Sequence, residues 1–300
     1  MEYHLYNADA YEFDYNSIAP INLIVTDPPY NKNIQSMADR KKAGENEWDQ
    51  VDMEKWNSLT KKLFDIAEDG THFVYFGDYK LIYEFIANTY SGWDLVTIGR
   101  WEKNTALFLA QQSLGARYDL YKNQAKQVAI PKRSIGKFKD AIANRTFLTK
   151  KGMEWQKYTY GTLQTWESIA FYVKNKSLST VFDKGLGCYR KNYKEWTIPV
   201  FNHKLDKKNE HLTPKPIPLM QDILKFIIPT INGEHFHYRL LDPFMGSGST
   251  IISAGGIEDQ YKNCISIESF GIEIREDAFK YARDRIEQEM AKINNVLTLY

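Results

Sequence analysis

The chain is poor in cysteine. Cys188 and Cys264 are the two present in 300 residues, and they stand far apart. No CxxC pair or Cys/His cluster exists, which speaks against a zinc site and a disulfide framework and fits a reducing cytoplasm. No apolar run approaches the roughly 18 residues of a membrane helix. The residues after Met1 lack the basic-then-apolar pattern of a secretory signal. Internal repeats and low-complexity tracts are missing too. So is a GxxxxGK[ST] phosphate loop, and so is the GxGxxG of a dinucleotide-dependent oxidoreductase. What remains is an ordinary globular composition, 43% hydrophobic and 26% charged. That length suits one large α/β domain or a core with a smaller module.

Net charge is almost absent, at +1, but its distribution is uneven. Residues 103–215 hold 22 Lys/Arg against 8 Asp/Glu, a net +14, so the flanks together carry −13. A basic middle between acidic flanks suggests a polyanion-binding region inserted into a catalytic or cofactor-binding core.

Residues 22–26 are a β-branched apolar run that reads as a buried strand entering Asp27-Pro28-Pro29-Tyr30. The two prolines forbid helix or ladder there and make a rigid extended exit. Residues 52–68 have helical spacing (Met53, Trp56, Leu59, Leu63, Ile66), with Asp69-Gly70 as the stop. Further strands are predicted at 72–76, 95–101, 168–174, 238–241 and 270–274, with helices at 79–90, 219–228, from 249, and 275–292. Strands alternating with helices predict a mostly parallel sheet covered on both faces. Residues 103–160 and 175–210 break the rhythm.

Near the C-terminus, Asp242-Pro243-Phe244-Met245-Gly246-Ser247-Gly248 forms a strand–turn–helix unit of nucleotide-binding type. Gly246 and Gly248 let backbone approach a ligand, and the helix opening at Ser249 offers free N–H groups. Glu273 ends the next strand, at a separation suited to a ribose diol. Asp27-Pro28-Pro29-Tyr30 suggests a different chemistry. An exocyclic base amine is a weak nucleophile because its lone pair is delocalised into the ring. The Asp27 carboxylate and the Pro28 carbonyl can accept its two hydrogens, favouring tetrahedral nitrogen and stabilising growing positive charge. Tyr30 can stack on a base extruded from a duplex.

These two segments resemble the amino-methyltransferases of DNA. The catalytic tetrapeptide precedes the glycine turn, the order of the circularly permuted β class. The resemblance implies a doubly wound, mostly parallel α/β sheet of the Rossmann-like S-adenosylmethionine-dependent methyltransferase type. It implies a catalytic half over 1–102, an inserted basic target-recognition region over 103–160, a core strand within 161–174, a second basic segment over 175–210, and a cofactor half over 211–300. Asn7-Ala8-Asp9-Ala10 is similar to a family element that lines the cofactor's adenine pocket through Asp9 and Ala10. Trp48-Asp49 and Thr165-Trp166-Glu167 resemble weaker family elements. His211-Leu212-Thr213-Pro214-Lys215-Pro216 is similar to a His-Pro-x-x-Lys-Pro segment that holds the methionine end, with leucine at 212 where the family has proline. The implied catalytic residues are Asp27, Pro28, Pro29 and Tyr30. The implied S-adenosylmethionine contacts are Asp9, Ala10, Asp27, Lys215, Asp242, Pro243, Phe244, Gly246, Ser247, Gly248, Ser249 and Glu273. No metal is expected.

In that family Asp-Pro-Pro-Tyr is commoner among adenine-N6 enzymes and Ser-Pro-Pro-Tyr among cytosine-N4 enzymes. Transfer to adenine-N6 in double-stranded DNA with base flipping is therefore the leading expectation. Cytosine-N4 transfer, an RNA or protein amino-methyltransferase, and an inactive DNA-binding subunit stay open. The DNA-binding candidates are Arg117, Lys122, Lys126, Lys132, Arg133, Lys137, Lys139, Arg145, Lys150, Lys151, Arg190 and Lys191. Tyr118, Tyr121, Phe138, Phe147 and Trp155 are interleaved with them, as phosphate neutralisation and base stacking require. A homodimer and a cognate restriction nuclease are further partners left open. The expected setting is the cytoplasm of a bacterium or archaeon, or a phage-infected cell, at the nucleoid.

Overall fold

The structure, a computed structural model, describes residues 1–29, 52–77, 82–103, 146–151, 154–159, 166–175, 200–203, 214–228 and 235–297. In chain order the elements are β1 (Glu2–Asn7), β2 (Ile21–Thr26), α1 (Met53–Ile66), β3 (Ala67–Gly77), α2 (Ile82–Asn88), β4 (Trp93–Lys103), β5 (Thr146–Lys151), β6 (Glu154–Thr159), β7 (Trp166–Lys174), β8 (Val200–His203), α3 (Ile217–Ile227), β9 (Phe236–Asp242), α4 (Ser249–Gln260), β10 (Ile265–Glu273) and α5 (Glu276–Leu297). They divide into two compact units, Met1–Trp101 with Glu167–Tyr300, and Glu102–Trp166. In the second unit, β5 and β6 form an antiparallel hairpin with Thr146 opposite Thr159.

The first unit is built on an eight-stranded sheet of order β1-β10-β9-β2-β3-β7-β4-β8. From β1 to β3 every neighbouring pair is parallel, and β7 runs antiparallel to β3. The expected doubly wound α/β architecture is present. Its central strands are apolar at consecutive positions because both faces are covered. Ile24, Phe73, Tyr75, Ala170 and Leu241 face one core cluster, packed with Trp56, Leu59 and Leu63 of α1. Leu23, Val25, Val74, Phe76, Phe171 and Leu240 face the other, packed with Leu219, Ile223 and Leu224 of α3. This alternation is the two-residue strand period realised residue by residue.

Helix α1 begins where the Asp52 side chain accepts from the backbone N–H of Glu54 at 2.8 Å, filling one of the free donors of a helix N-terminus. The sequence places its stop at Asp69-Gly70; the chain leaves the helix after Ile66 instead and enters β3 directly. Gly70 takes its positive φ of 85° inside that strand. Strand β1 has no counterpart among the predicted elements, because an edge strand of half-buried, mixed residues has no apolar run to betray it. Strand β8 is short at four residues and lies in the stretch 175–210. Among the described residues, no helix is long and apolar enough to cross a membrane.

Candidate active site

Parallel neighbours β10, β9 and β2 end at one edge of the sheet, so their last residues meet there. Leu240 pairs with Leu23, and Asp242 pairs with Gly271. The result brings Asp27 close to Asp242 although 214 intervening residues separate them in sequence. Thr26 Oγ1 donates to Asp242 Oδ1 at 2.7 Å. The Phe244 N–H donates to Asp242 Oδ1 at 3.1 Å and lies 3.2 Å from Thr26 Oγ1. The end of β2, which leads into Asp27, therefore abuts the start of the glycine turn. Pro28 is buried, whereas Asp27 and Pro29 are half-buried at the mouth.

Within the turn, Gly246 and Gly248 have φ of 53° and 77°, a region that side chains other than glycine enter at a cost. A Cβ on Gly248 would also sit 2.7 Å from Ile286 Cδ1 of α5. At Gly246 a Cβ would meet nothing nearer than the Phe244 carbonyl oxygen at 3.9 Å, so the backbone there faces open space. That opening is what a ligand resting on the turn needs. Arg285 donates to the Ser247 carbonyl at 2.8 Å and to Ser249 Oγ at 3.0 Å, fixing the turn from behind.

Glu273 caps the turn. Its Oε2 accepts from the Gly246 N–H at 3.0 Å and its Oε1 from the Arg275 N–H at 2.9 Å. Burial raises the pKa of its carboxyl. Each oxygen keeps a further lone pair, which suits a diol. Asn7 Nδ2 donates to the Glu273 carbonyl at 2.8 Å, bringing the end of β1 beside it. Next in the chain, Asp9 Oδ1 accepts from the Tyr11 N–H at 2.8 Å, and Ala10 is buried. The Tyr11 ring meets Phe244 edge-on at 5.7 Å between centroids. Carboxylates beside aromatic and glycine backbone surface are the groups that an adenosyl moiety with a charged tail requires.

Opposite the glycine turn, Lys215 Nζ bonds Asp27 Oδ2 and lies 3.2 Å from Glu167 Oε2. The ammonium stands over the Phe76 ring at 4.8 Å from its centroid. Burial pulls the pKa of this lysine down, and Asp27 and Glu167 more than offset the pull, leaving it raised.

Asp242 is buried at the centre of the edge. Desolvation pushes its carboxyl up to about 6, against hydrogen bonds from Thr250, Thr26 and the Phe244 N–H that lower it. A carboxyl raised in the folded state contributes most stability below the unfolded value near 3.8 and loses it as pH rises through about 6. Replacing Asp242 by asparagine, which keeps the accepting oxygen, should remove that loss. The variant's melting temperature relative to the parent is expected to rise from pH 4 to pH 7; parallel curves in thermal scans across this range would overturn the assignment. Buried His72 is held down at about 4 and acts in the opposite sense, so the parent profile is flatter than either group alone dictates.

The structure thus gathers Asp9, Ala10, Asp27, Pro28, Pro29, Lys215, Asp242, Pro243, Phe244, Gly246, Ser247, Gly248, Ser249 and Glu273 along one edge or behind it. Tyr30, Trp48, Asp49, Thr165 and His211 lie outside the described residues. So do the DNA-binding candidates Arg117 to Arg145, Arg190 and Lys191, while Lys150 and Lys151 are described only as backbone of β5. The sequence singles out neither Thr26 nor Arg285. Each acts through a fold contact with a residue far along the chain, and no spacing pattern marks it. Among the described residues, the metal-like grouping is Glu2, His4 and Glu268. It lies at the opposite end of β1 and β10, and Glu268 there is engaged by Arg239 at 3.0 Å.

A family model covering N6 and N4 enzymes, described as DNA methylase, matches residues 21–284. No curated protein sequence matches the chain. Among solved structures, the M1.HpyAVI–SAM complex is 18% identical, with a TM-score of 0.52, covering 95% of this chain and 98% of its own. TTHA0409 from Thermus thermophilus is 15% identical, with a TM-score of 0.49, over 96% and 95% of the two chains.

Proposed function

The chain belongs to the N6/N4 DNA methylase family, and from that premise we propose that it transfers a methyl group from S-adenosylmethionine to the N6 amine of adenine in double-stranded DNA. The observation that carries this reading is the contact between the two halves of the site, Thr26 Oγ1 to Asp242 at 2.7 Å. It sets Asp27, to which we assign the grip on the amine, beside the open glycine turn. Asp9, Glu273 and the Gly246 backbone would hold the adenosyl part, with Lys215 and Phe244 toward the methionine end. When bound, S-adenosylmethionine would supply the methyl: the N–C bond forms as the C–S bond breaks, the pair of that bond stays on sulfur as a neutral thioether, and the cationic nitrogen passes one proton to solvent water. Asp27 and the Pro28 carbonyl accept the amine hydrogens and stabilise the charge arriving on nitrogen. Both acceptors are fixed in advance by the strand end and the two proline rings. Orientation does the rest, since in-line placement alone removes much of the barrier.

Tyr30 is assigned to stacking on the extruded base, and the basic, aromatic stretch 117–160 to reading the duplex. Adenine is favoured over cytosine by the aspartate at position 27. Incubation with unmethylated duplex DNA and S-adenosylmethionine, followed by digestion to nucleosides, is expected to yield N6-methyladenine. N4-methylcytosine in its place would reverse the base assignment. Methylation of RNA with none of DNA would overturn the substrate.

A further inference from the structure

At the end of the sheet opposite the methyl-transfer edge, metal-ligating side chains meet across three adjacent parallel strands. Glu2 of β1 is registered with Glu268 of β10, and Glu268 with Arg239 of β9. Registered residues share a face of the sheet, as do residues two apart on one strand. Glu2, His4, Glu268 and His237 therefore stand on one face. His4 Nε2 lies 3.3 Å from Glu2 Oε1 and 3.1 Å from Glu268 Oε1. Its ring is stacked on Phe270, with centroids 5.1 Å apart, which holds the nitrogen between the two carboxylates.

An imidazole nitrogen carries at most one proton, and one N–H gives a full hydrogen bond to one acceptor. Here two carboxylates converge on it, and side by side they repel each other. A divalent cation in place of the proton answers both. The spacing suits one: tetrahedral zinc bonds to nitrogen and oxygen set neighbouring ligand atoms about 3.4 Å apart. The three ligand atoms all lie within 4.8 Å of one another. Glu2, with its side chain 71% exposed, has room to close the remaining edge. Imidazole with two carboxylates and no thiolate is a donor set for a borderline metal of the zinc type, and the exposed side leaves a position for water. Glu268 is braced from behind, as ligating carboxylates are. Its Oε2 lies 3.0 Å from Arg239 Nε and 3.8 Å from His237 Nε2, which leaves Oε1 toward His4. Arg239 is itself tied to the Ile18 carbonyl at 3.1 Å. Its charge offsets one of the two carboxylates and leaves the other to a cation.

We propose that Glu2, His4 and Glu268 form a site for a divalent zinc-type cation that staples the edge strand β1 to β10. The site is separate from the methyl-transfer chemistry and stands whether or not that reading holds. Its place gives it a purpose: β1 ends at Asn7, which donates to the Glu273 carbonyl at 2.8 Å, so the ion fixes the start of the strand whose end meets the glycine-turn edge. The test is calorimetric titration of zinc chloride, in excess magnesium, into the untagged full chain stripped of metal by a chelator. The parent is expected to bind one zinc ion here. Glu2→Gln and His4→Gln keep size and polarity and should each weaken that binding at least tenfold, since loss of an outer partner alone costs about 10–100-fold. Zinc should raise the melting temperature of the parent, because it binds the folded form, and should leave that of either variant unmoved. If His4 is only an ion-pair partner of the two glutamates, zinc moves none of the three melting temperatures. That result, a parent that binds no zinc, or binding of parent strength in either variant, as adventitious zinc on other histidines would give, overturns the proposal.

Discussion

Replacing Asp27 by alanine is expected to leave a folded protein whose methyl transfer falls by about a thousandfold or more. Loss of one pre-aimed group that stabilises transition-state charge costs on the order of a hundred- to a thousandfold. Here the same change also removes the anion that faces the mouth. Folding should survive for a reason visible in the site: Lys215 keeps Glu167 at 3.2 Å, so the buried ammonium is still compensated when Asp27 is gone. Turnover is read by incorporation of labelled methyl into duplex DNA, and folding by the melting temperature, expected to stay within a few degrees of the parent. Parent-like turnover in this variant would remove Asp27 from the chemistry.

The second large effect is on stability. Lys215→Met is expected to destabilise the fold by about 3–5 kcal/mol, the usual result of stripping the partner from a buried charge. The methionine fills the volume beneath the Phe76 ring, but Glu167 is left buried and anionic with its lysine removed. Adding Glu167→Gln to Lys215→Met removes a buried carboxylate that has lost its ammonium and should restore part of the loss. Urea denaturation of the parent, both single variants and the double completes the cycle. If Lys215→Met costs under about 1 kcal/mol, burial of the pair is not what holds this part of the edge.

How far the sequence reveals the molecule depends on where each signal resides. The apolar runs at 22–26 and 168–174 and the helical spacing around Trp56 are local, and the strands and helix follow from them. The glycine turn is local too, because positive φ at Gly246 and Gly248 demands that residue type. Strand β1 is not legible, since its identity depends on β10 lying beside it, with Glu2 opposite Glu268. The sequence shows an acid at 273 and the resemblance gives it a ligand. That its two oxygens also cap Gly246 and Arg275 is a property of the folded turn. Likewise, the resemblance marks Lys215 and, more weakly, Glu167. Only the sheet order, with β7 reversed, brings both onto one side of Asp27.

The pairing of β2 with β9 bears on how the polypeptide is made. Strand β2 leaves the ribosome long before its neighbour on one flank, Phe236–Asp242, has been translated. Strand β1 must wait still longer for Ile265–Glu273. Contacts of such long range form late, so a nascent or prematurely terminated chain carries the acid without the bed that would hold its donor. The edge is therefore complete only after β10 and the following helix, whose Arg285 holds the turn, have been made.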